Sequence, residues 1–233
     1  RASERAAADA ESLSADFRRF YTSPSNALYL TLALGAAGAG ANTNFDSEVQ
    51  DRWREDVKSS ATDAISDVAV LAGEAGLTIP LLAGARLLGP EGKVTDWAGR
   101  SLRAVFVGGP LVLALQQTLG GKRPSEGEPD WELFGGNNAA SGHAFMGGAP
   151  ILTAAMMAEN PYARAALYGA SALPGLSRIN DDKHYASQVV LGWAVAYLSA
   201  STVMKGKEEG MAGGLAVAPM GDGGTGVFWA AVF

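Results

Sequence analysis

The chain has no cysteine and only two histidines in 233 residues. The missing thiols exclude disulfides, thiolate nucleophiles and zinc–thiolate sites. They do not fix the redox compartment, since a cysteine-free chain suits any. Positive charge is in deficit: 18 Lys and Arg stand against 24 Asp and Glu, a net charge of −6 with a pI near 5.0. That sign argues against a nucleic-acid partner held through its phosphates. Long, strongly apolar runs are also few. Residues 104–121 and 185–204 carry no charge, but they are rich in Ala, Gly, Ser and Gln. A spanning helix needs about 20 predominantly apolar residues. Both runs therefore read either as buried bundle helices or as modest transmembrane helices, whose interfaces also favour small residues. The first residue is Arg1 rather than Met, in the polar run RASERAAADAESL. It reads as the residue after a signal-peptidase cut or as a trimmed boundary. No internal repeat is present.

What is there is helical. With 48% apolar residues the length suits one sizeable core. Residues 1–22 read as an N-terminal helix or extension, 23–210 as one helical domain, and 211–233 as a β-hairpin around the Gly-Asp-Gly-Gly turn, packed on the bundle as a ribbon. FDSEVQDRWREDVKSS has the spacing of a solvated amphipathic helix over 45–60. Thr62-Asp63 offers an N-cap to AISDVAVLAGEAG. Pro80 interrupts or opens the next helix, which stops at Leu88-Gly89-Pro90. A long helix begins near Thr95-Asp96, kinks at Pro110 and ends at Gly120-Gly121. Residues 121–140 are loop-like, with Gly, Pro and paired Asn. Helices then start near Ser141 and at Asn160-Pro161, a break falls at Pro174-Gly175, and a last helix runs over 186–203.

Both histidines fall beside small or basic residues at the ends of apolar helices. His143 lies in NNAASGHAFM and His184 in SRINDDKHYASQ. With Arg123-Pro124 these form a set of complementary types. Two arginines can clamp a phosphoryl group. A Ser hydroxyl and a Gly amide at a helix N-terminus suit an anionic oxygen. One histidine can attack phosphorus while the other protonates the leaving group.

This pattern resembles the type 2 phosphatidic acid phosphatase superfamily, which includes lipid phosphatases, bacterial non-specific acid phosphatases and vanadium haloperoxidases. Its signatures are K-x6-RP, PSGH and SR-x5-H-x3-D. Here they appear as Arg123-Pro124, as ASGH over 140–143 and as SRINDDKHYASQ over 177–188, in the same order and at matching separations. The resemblance covers roughly residues 100–205 and implies an all-α bundle. It makes His184 the nucleophile that becomes a phosphohistidine, and His143 the general acid. Arg123, Arg178, Ser141 and the Gly142 amide would hold the phosphoryl oxygens. It implies no metal and no cofactor, with phosphate or vanadate able to occupy the site. It further implies a phosphorylated small molecule or lipid as substrate, on the periplasmic side of a bacterial cell envelope, in a soluble or membrane-associated form.

Two positions depart from the signatures. Gln116 stands where Lys is expected seven residues before Arg123, and Gln188 where Asp is expected four residues after His184. Gln116 removes a phosphate-binding charge. Gln188 shares a helix face with His184 and can accept from the ring, but it cannot stabilise an imidazolium by charge. In a serine-protease triad the same exchange lowers kcat by about 10⁴. Beside a working phosphatase, the residues therefore allow a weak or inactive phospho-ligand-binding relative, or a phosphoryl transferase to an acceptor other than water. Of the remaining polar residues, Asp181, Asp182 and Lys183 read as a solvated loop and Asn137 and Asn138 as turn residues. Trp131 and Phe134 read as a substrate entrance or as packing.

Overall fold

The computed structural model describes residues 2–206 and the backbone of 214–219 and 225–230. Ten α-helices follow in order: α1 (Ala2–Thr22), α2 (Pro24–Ala41), α3 (Phe45–Arg52), α4 (Ser60–Gly73), α5 (Ala75–Leu88), α6 (Lys93–Leu119), α7 (Gly142–Met157), α8 (Pro161–Ala170), α9 (Leu173–Asn180) and α10 (Ala186–Lys205). A π-helical turn, Trp53–Val57, extends α3. Over residues 2–206 the fold is all-helical. The backbone of Gly214–Pro219 (β1) pairs antiparallel with Thr225–Ala230 (β2). The expected packing of that ribbon on the bundle lies outside the described residues.

Local chemistry sets most boundaries. Ser23 accepts from the Asn26 amide with Pro24 at the first helical position, and so starts α2. Asn160 accepts from the amides of Tyr162 and Ala163 to start α8. Gly120, at φ 72°, ends α6 in the left-handed conformation. Four boundaries differ from the sequence reading. The cap of α4 is Ser59, in a reciprocal box with Thr62, so the helix begins earlier than Thr62-Asp63 implied. AISDVAVLAGEAG is not one helix: the chain breaks at Glu74, and α5 leaves α4 at 59°. Pro80 neither opens nor interrupts a helix: it lies inside α5, which already starts at Ala75. Pro174 sits in the first turn of α9 rather than ending a helix, since a proline there removes no hydrogen bond. Ser177 and Arg178 are therefore helical.

The core lies between α6, α7 and α10. Val105, Val107, Val112, Phe145, Leu152, Leu191 and Val195 are all buried in it. Gly108 lets α6 lie on the Phe145 ring, for a Cβ there would come within 2.6 Å of it. Helices α6 and α10 are long and apolar enough to cross a membrane, and the bent pair α4–α5 meets the same test as one broken span. The C-terminal end of α6, the N-termini of α7 and α10 and the C-terminal end of α9 meet at one end of the bundle.

Candidate active site

His184 reaches this end through a tight reversal after α9. The amides of Lys183 and His184 both donate to the Arg178 carbonyl, at 2.8 and 3.1 Å. The reversal puts Asp182 at φ 54°, a conformation Asp tolerates better than most residues. Its Oδ1 accepts from Gln50 Nε2 and Arg54 Nε, each at 2.8 Å. Asp181 Oδ1 accepts from Ser66 at 2.8 Å. These residues are a braced corner rather than the solvated loop the sequence suggested. His184 emerges 7% exposed.

Its Nδ1 lies 2.8 Å from Gln188 Oε1. The amide orientation follows from its other partners. The Tyr185 amide donates to the same oxygen at 3.1 Å, and Gln188 Nε2 donates to the Lys122 carbonyl at 2.7 Å. An oxygen faces His184, so Nδ1 carries the proton and Nε2 keeps its lone pair. Burial pushes the imidazole from 6.5 down to about 4, with Arg178, Arg123 and His143 adding to the effect and the Gln188 bond opposing it. A neutral, oriented imidazole results.

The charges that act on His184 belong to the expected site. Arg178 is largely buried, with Nη1 on Asp181 Oδ2 at 3.4 Å and Nε buried without a partner. Burial presses its guanidinium below the usual range, so an anion beside it is favoured. Arg123 is half-exposed, and its Nε donates to Asn138 Oδ1 at 3.1 Å. Asn138 is buried, and it orients Arg123 rather than serving only as a turn residue. Ser141 caps α7: its Oγ accepts from the Ala144 amide, and its own amide donates to the Gln188 carbonyl at 2.8 Å. Gln116 Nε2 donates to the Ala140 carbonyl at 2.8 Å, beside Gly142. All eight residues expected from the sequence thus gather at one end. Trp131 packs against Gly38 of α2, and Phe134 is 75% exposed.

His143 meets a residue that the sequence reading missed. Its Nε2 lies 3.0 Å from Glu74 Oε1, contributed by the break between α4 and α5. Two other supports were also unforeseen. Asp46, placed on a solvated face by the sequence, is fully buried and accepts from both the amide and the hydroxyl of Ser187 in the first turn of α10. Gly192 brings α10 against the backbone of Ser141. Capping by a side chain from elsewhere in the chain leaves no local signal, and neither does a helix crossing.

No curated protein and no solved structure matches the chain. Residues 104–210 match the model of the PAP2 superfamily, the type 2 phosphatidic acid phosphatases. That stretch carries all eight site residues expected from the sequence, Gln116, Arg123, Ser141, Gly142, His143, Arg178, His184 and Gln188, so over its catalytic half the chain is similar to the PAP2 superfamily.

Proposed function

We propose that the chain is a metal-independent phosphatase acting on a phosphate monoester or pyrophosphate. The superfamily suggests phosphoryl-transfer chemistry. The observation that carries the finer reading is the His184–Gln188 contact. It commits Nδ1–H and leaves the Nε2 lone pair free on a buried ring that the charges of Arg178 and Arg123 reach. His184 Nε2 attacks phosphorus and the bond to the leaving oxygen breaks, as His143 supplies that oxygen with a proton. Water then attacks the phosphohistidine and releases phosphate. Arg123, Arg178 and the N-terminus of α7 stabilise the equatorial oxygens as charge builds.

An apolar leaving group, as in a lipid phosphate, fits the surroundings. A cavity of about 190 Å³ lined by Trp53, Ile65, Leu173 and Leu176 lies against Ser177 on one face of α9. Leu28 and Leu32 on α2, Val68 on α4 and Leu81 on α5 are exposed apolar side chains. With the lengths of α6 and α10 they support a membrane-associated enzyme, for which a bacterial cell envelope and a periplasmic-side site are part of the proposal. A second reading, a weak relative that chiefly binds phosphorylated ligands, is favoured by one observation: Gln116 brings no charge and spends a donor on Ala140.

The test is phosphate release in chelator-treated buffer from p-nitrophenyl phosphate, phosphatidic acid and an isoprenyl diphosphate, comparing the native chain with His184→Ala. Release that disappears in the variant is expected, with a phosphohistidine trapped in the native chain by acid-free quenching. No release from folded native protein, or equal release from the variant, defeats the reading.

A further inference from the structure

We propose that Glu74 is the positioning residue of the general acid: its carboxylate, 3.0 Å from Nε2, faces the charge that His143 carries when it donates to the leaving group. This rests on the phosphatase reading of the site.

Four observations converge on Glu74. Its Oε1 is 3.0 Å from His143 Nε2. It stands at the N-cap of α5 and makes no side-chain cap bond, which leaves the carboxylate to the histidine. The preceding Gly73 permits the approach, since a Cβ there would lie 2.8 Å from His143 Cβ and 2.9 Å from its Cα. The charge of Arg178 also reaches Glu74, which puts the carboxylate at the edge of the phosphoryl pocket.

The chemistry requires such a group. A histidine that gives a proton to the leaving oxygen must begin as an imidazolium. A carboxylate on Nε2 faces that charge and leaves Nδ1–H for the leaving oxygen. In the first step the Nε2 lone pair of His184 forms the N–P bond, the P–O bond breaks, and the Nδ1 proton of His143 moves to the departing oxygen. In the second, water forms a P–O bond, the N–P bond breaks, and the water proton goes to His143 Nδ1. Imidazolium is thereby regained beside Glu74. The two histidines are sorted by their partners: a neutral amide on the nucleophile, a carboxylate on the acid.

The experiment compares native chain, Glu74→Gln and Glu74→Asp on two substrates. p-Nitrophenyl phosphate has a leaving group that needs little protonation, whereas glycerol phosphate has one that needs it fully. Glu74→Gln is expected to lower kcat on glycerol phosphate by about 10²-fold, the usual scale of general acid catalysis, with a much smaller change on the aryl ester and on KM. Glu74→Asp restores part of the loss. Equal falls on both substrates, or none, overturn the proposal. Ring ¹⁵N spectra give a readout independent of turnover, made simple by the two histidines of the chain. The His143 ring nitrogen signals are expected to move in Glu74→Gln while the His184 signals stay; an unchanged His143 pattern overturns it. A native chain that releases no phosphate defeats the functional reading alone, and the spectra still decide whether Glu74 engages His143.

Discussion

Gln188 Oε1 accepts the Nδ1–H of His184 at 2.8 Å while Gln188 Nε2 is anchored on the Lys122 carbonyl at 2.7 Å. An anchored amide does half of what an aspartate does there. It fixes the tautomer and aims Nε2, but it leaves an imidazolium uncompensated. Burial and two nearby arginines then make His184 a weak base, neutral at any ordinary pH. For a nucleophile that is an advantage, since only the neutral ring can attack.

The same desolvation appears in stability. A histidine with a depressed folded value binds its proton first in the unfolded chain, so folding loses free energy as pH falls from 6.5 to about 4. Above 6.5 the group contributes no slope. The native chain is expected to lose about 3 kcal/mol across that window relative to His184→Gln, whose side chain does not titrate. Urea unfolding of both proteins at pH 7 and pH 4 measures this. Parallel losses would mean that His184 is solvated.

Gln188→Asp installs the residue of the signature that the chain resembles in a site built for an amide. The shorter carboxylate favours the His184 imidazolium, so the acid limb of kcat/KM for p-nitrophenyl phosphate moves up from about 4 toward neutral pH. The Lys122 carbonyl loses its donor, and a carboxylate is buried at a position with 0% exposure. A stability loss of about 2 kcal/mol is expected. An acid limb that does not move would show that Gln188 has no part in setting the charge of His184.

The motif residues were legible because their chemistry is written in short, ordered blocks: Arg123, Ser141 to His143, and Ser177 to His184. Caps such as Asn160 and the left-handed Gly120 were legible for the same local reason. What escaped depends on partners distant in sequence. Glu74 reads as one more helical residue until its helix breaks beside His143, 69 positions later. Asp46 belongs to a run of charges with solvated-helix spacing, and only the approach of α10 turns it inward. Pro80 and Pro174 misled because a proline signals a possible break, whereas packing and position within the helix decide whether one occurs.

Asp46 gives a further test with the opposite pH sign. Burial pushes its carboxyl up from 3.8, against the two Ser187 donors. Its contribution to stability is therefore full below the unfolded value and is lost as pH rises through the folded one. Asp46→Asn keeps an acceptor for the Ser187 amide, and its amide nitrogen can donate to the hydroxyl. It is expected to match or exceed the native stability at pH 8 and to lose that advantage at pH 4. Asp46→Ala removes both bonds and costs about 1–3 kcal/mol at either pH. Thermal melts of the three proteins at the two pH values decide it, and an Asn variant weaker than native at pH 8 would contradict the sign.

Gly192 is where the helix crossing and the site meet. A Cβ there would lie 2.3 Å from the Ser141 carbonyl oxygen and 3.1 Å from Ser141 C and N, all backbone atoms of the α7 cap. No rotamer change relieves such an overlap; the helices must separate. Alanine improves helix propensity by about 0.8–1 kcal/mol over glycine, but overpacking of this kind costs about 1–3 kcal/mol. The balance for Gly192→Ala is a net loss. Gly84 in α5 is the control, since nothing lies within 4 Å of its Cβ position. Gly84→Ala is expected to raise stability by up to about 1 kcal/mol and to leave turnover alone. Separation at Gly192 also draws Ser141 and Gly142 away from His184, because the Ser141 amide is held by the Gln188 carbonyl. Phosphate release by Gly192→Ala should therefore fall even at temperatures where the variant remains fully folded. A folded Gly192→Ala protein with native turnover would show that the phosphoryl oxygens are not held at the start of α7.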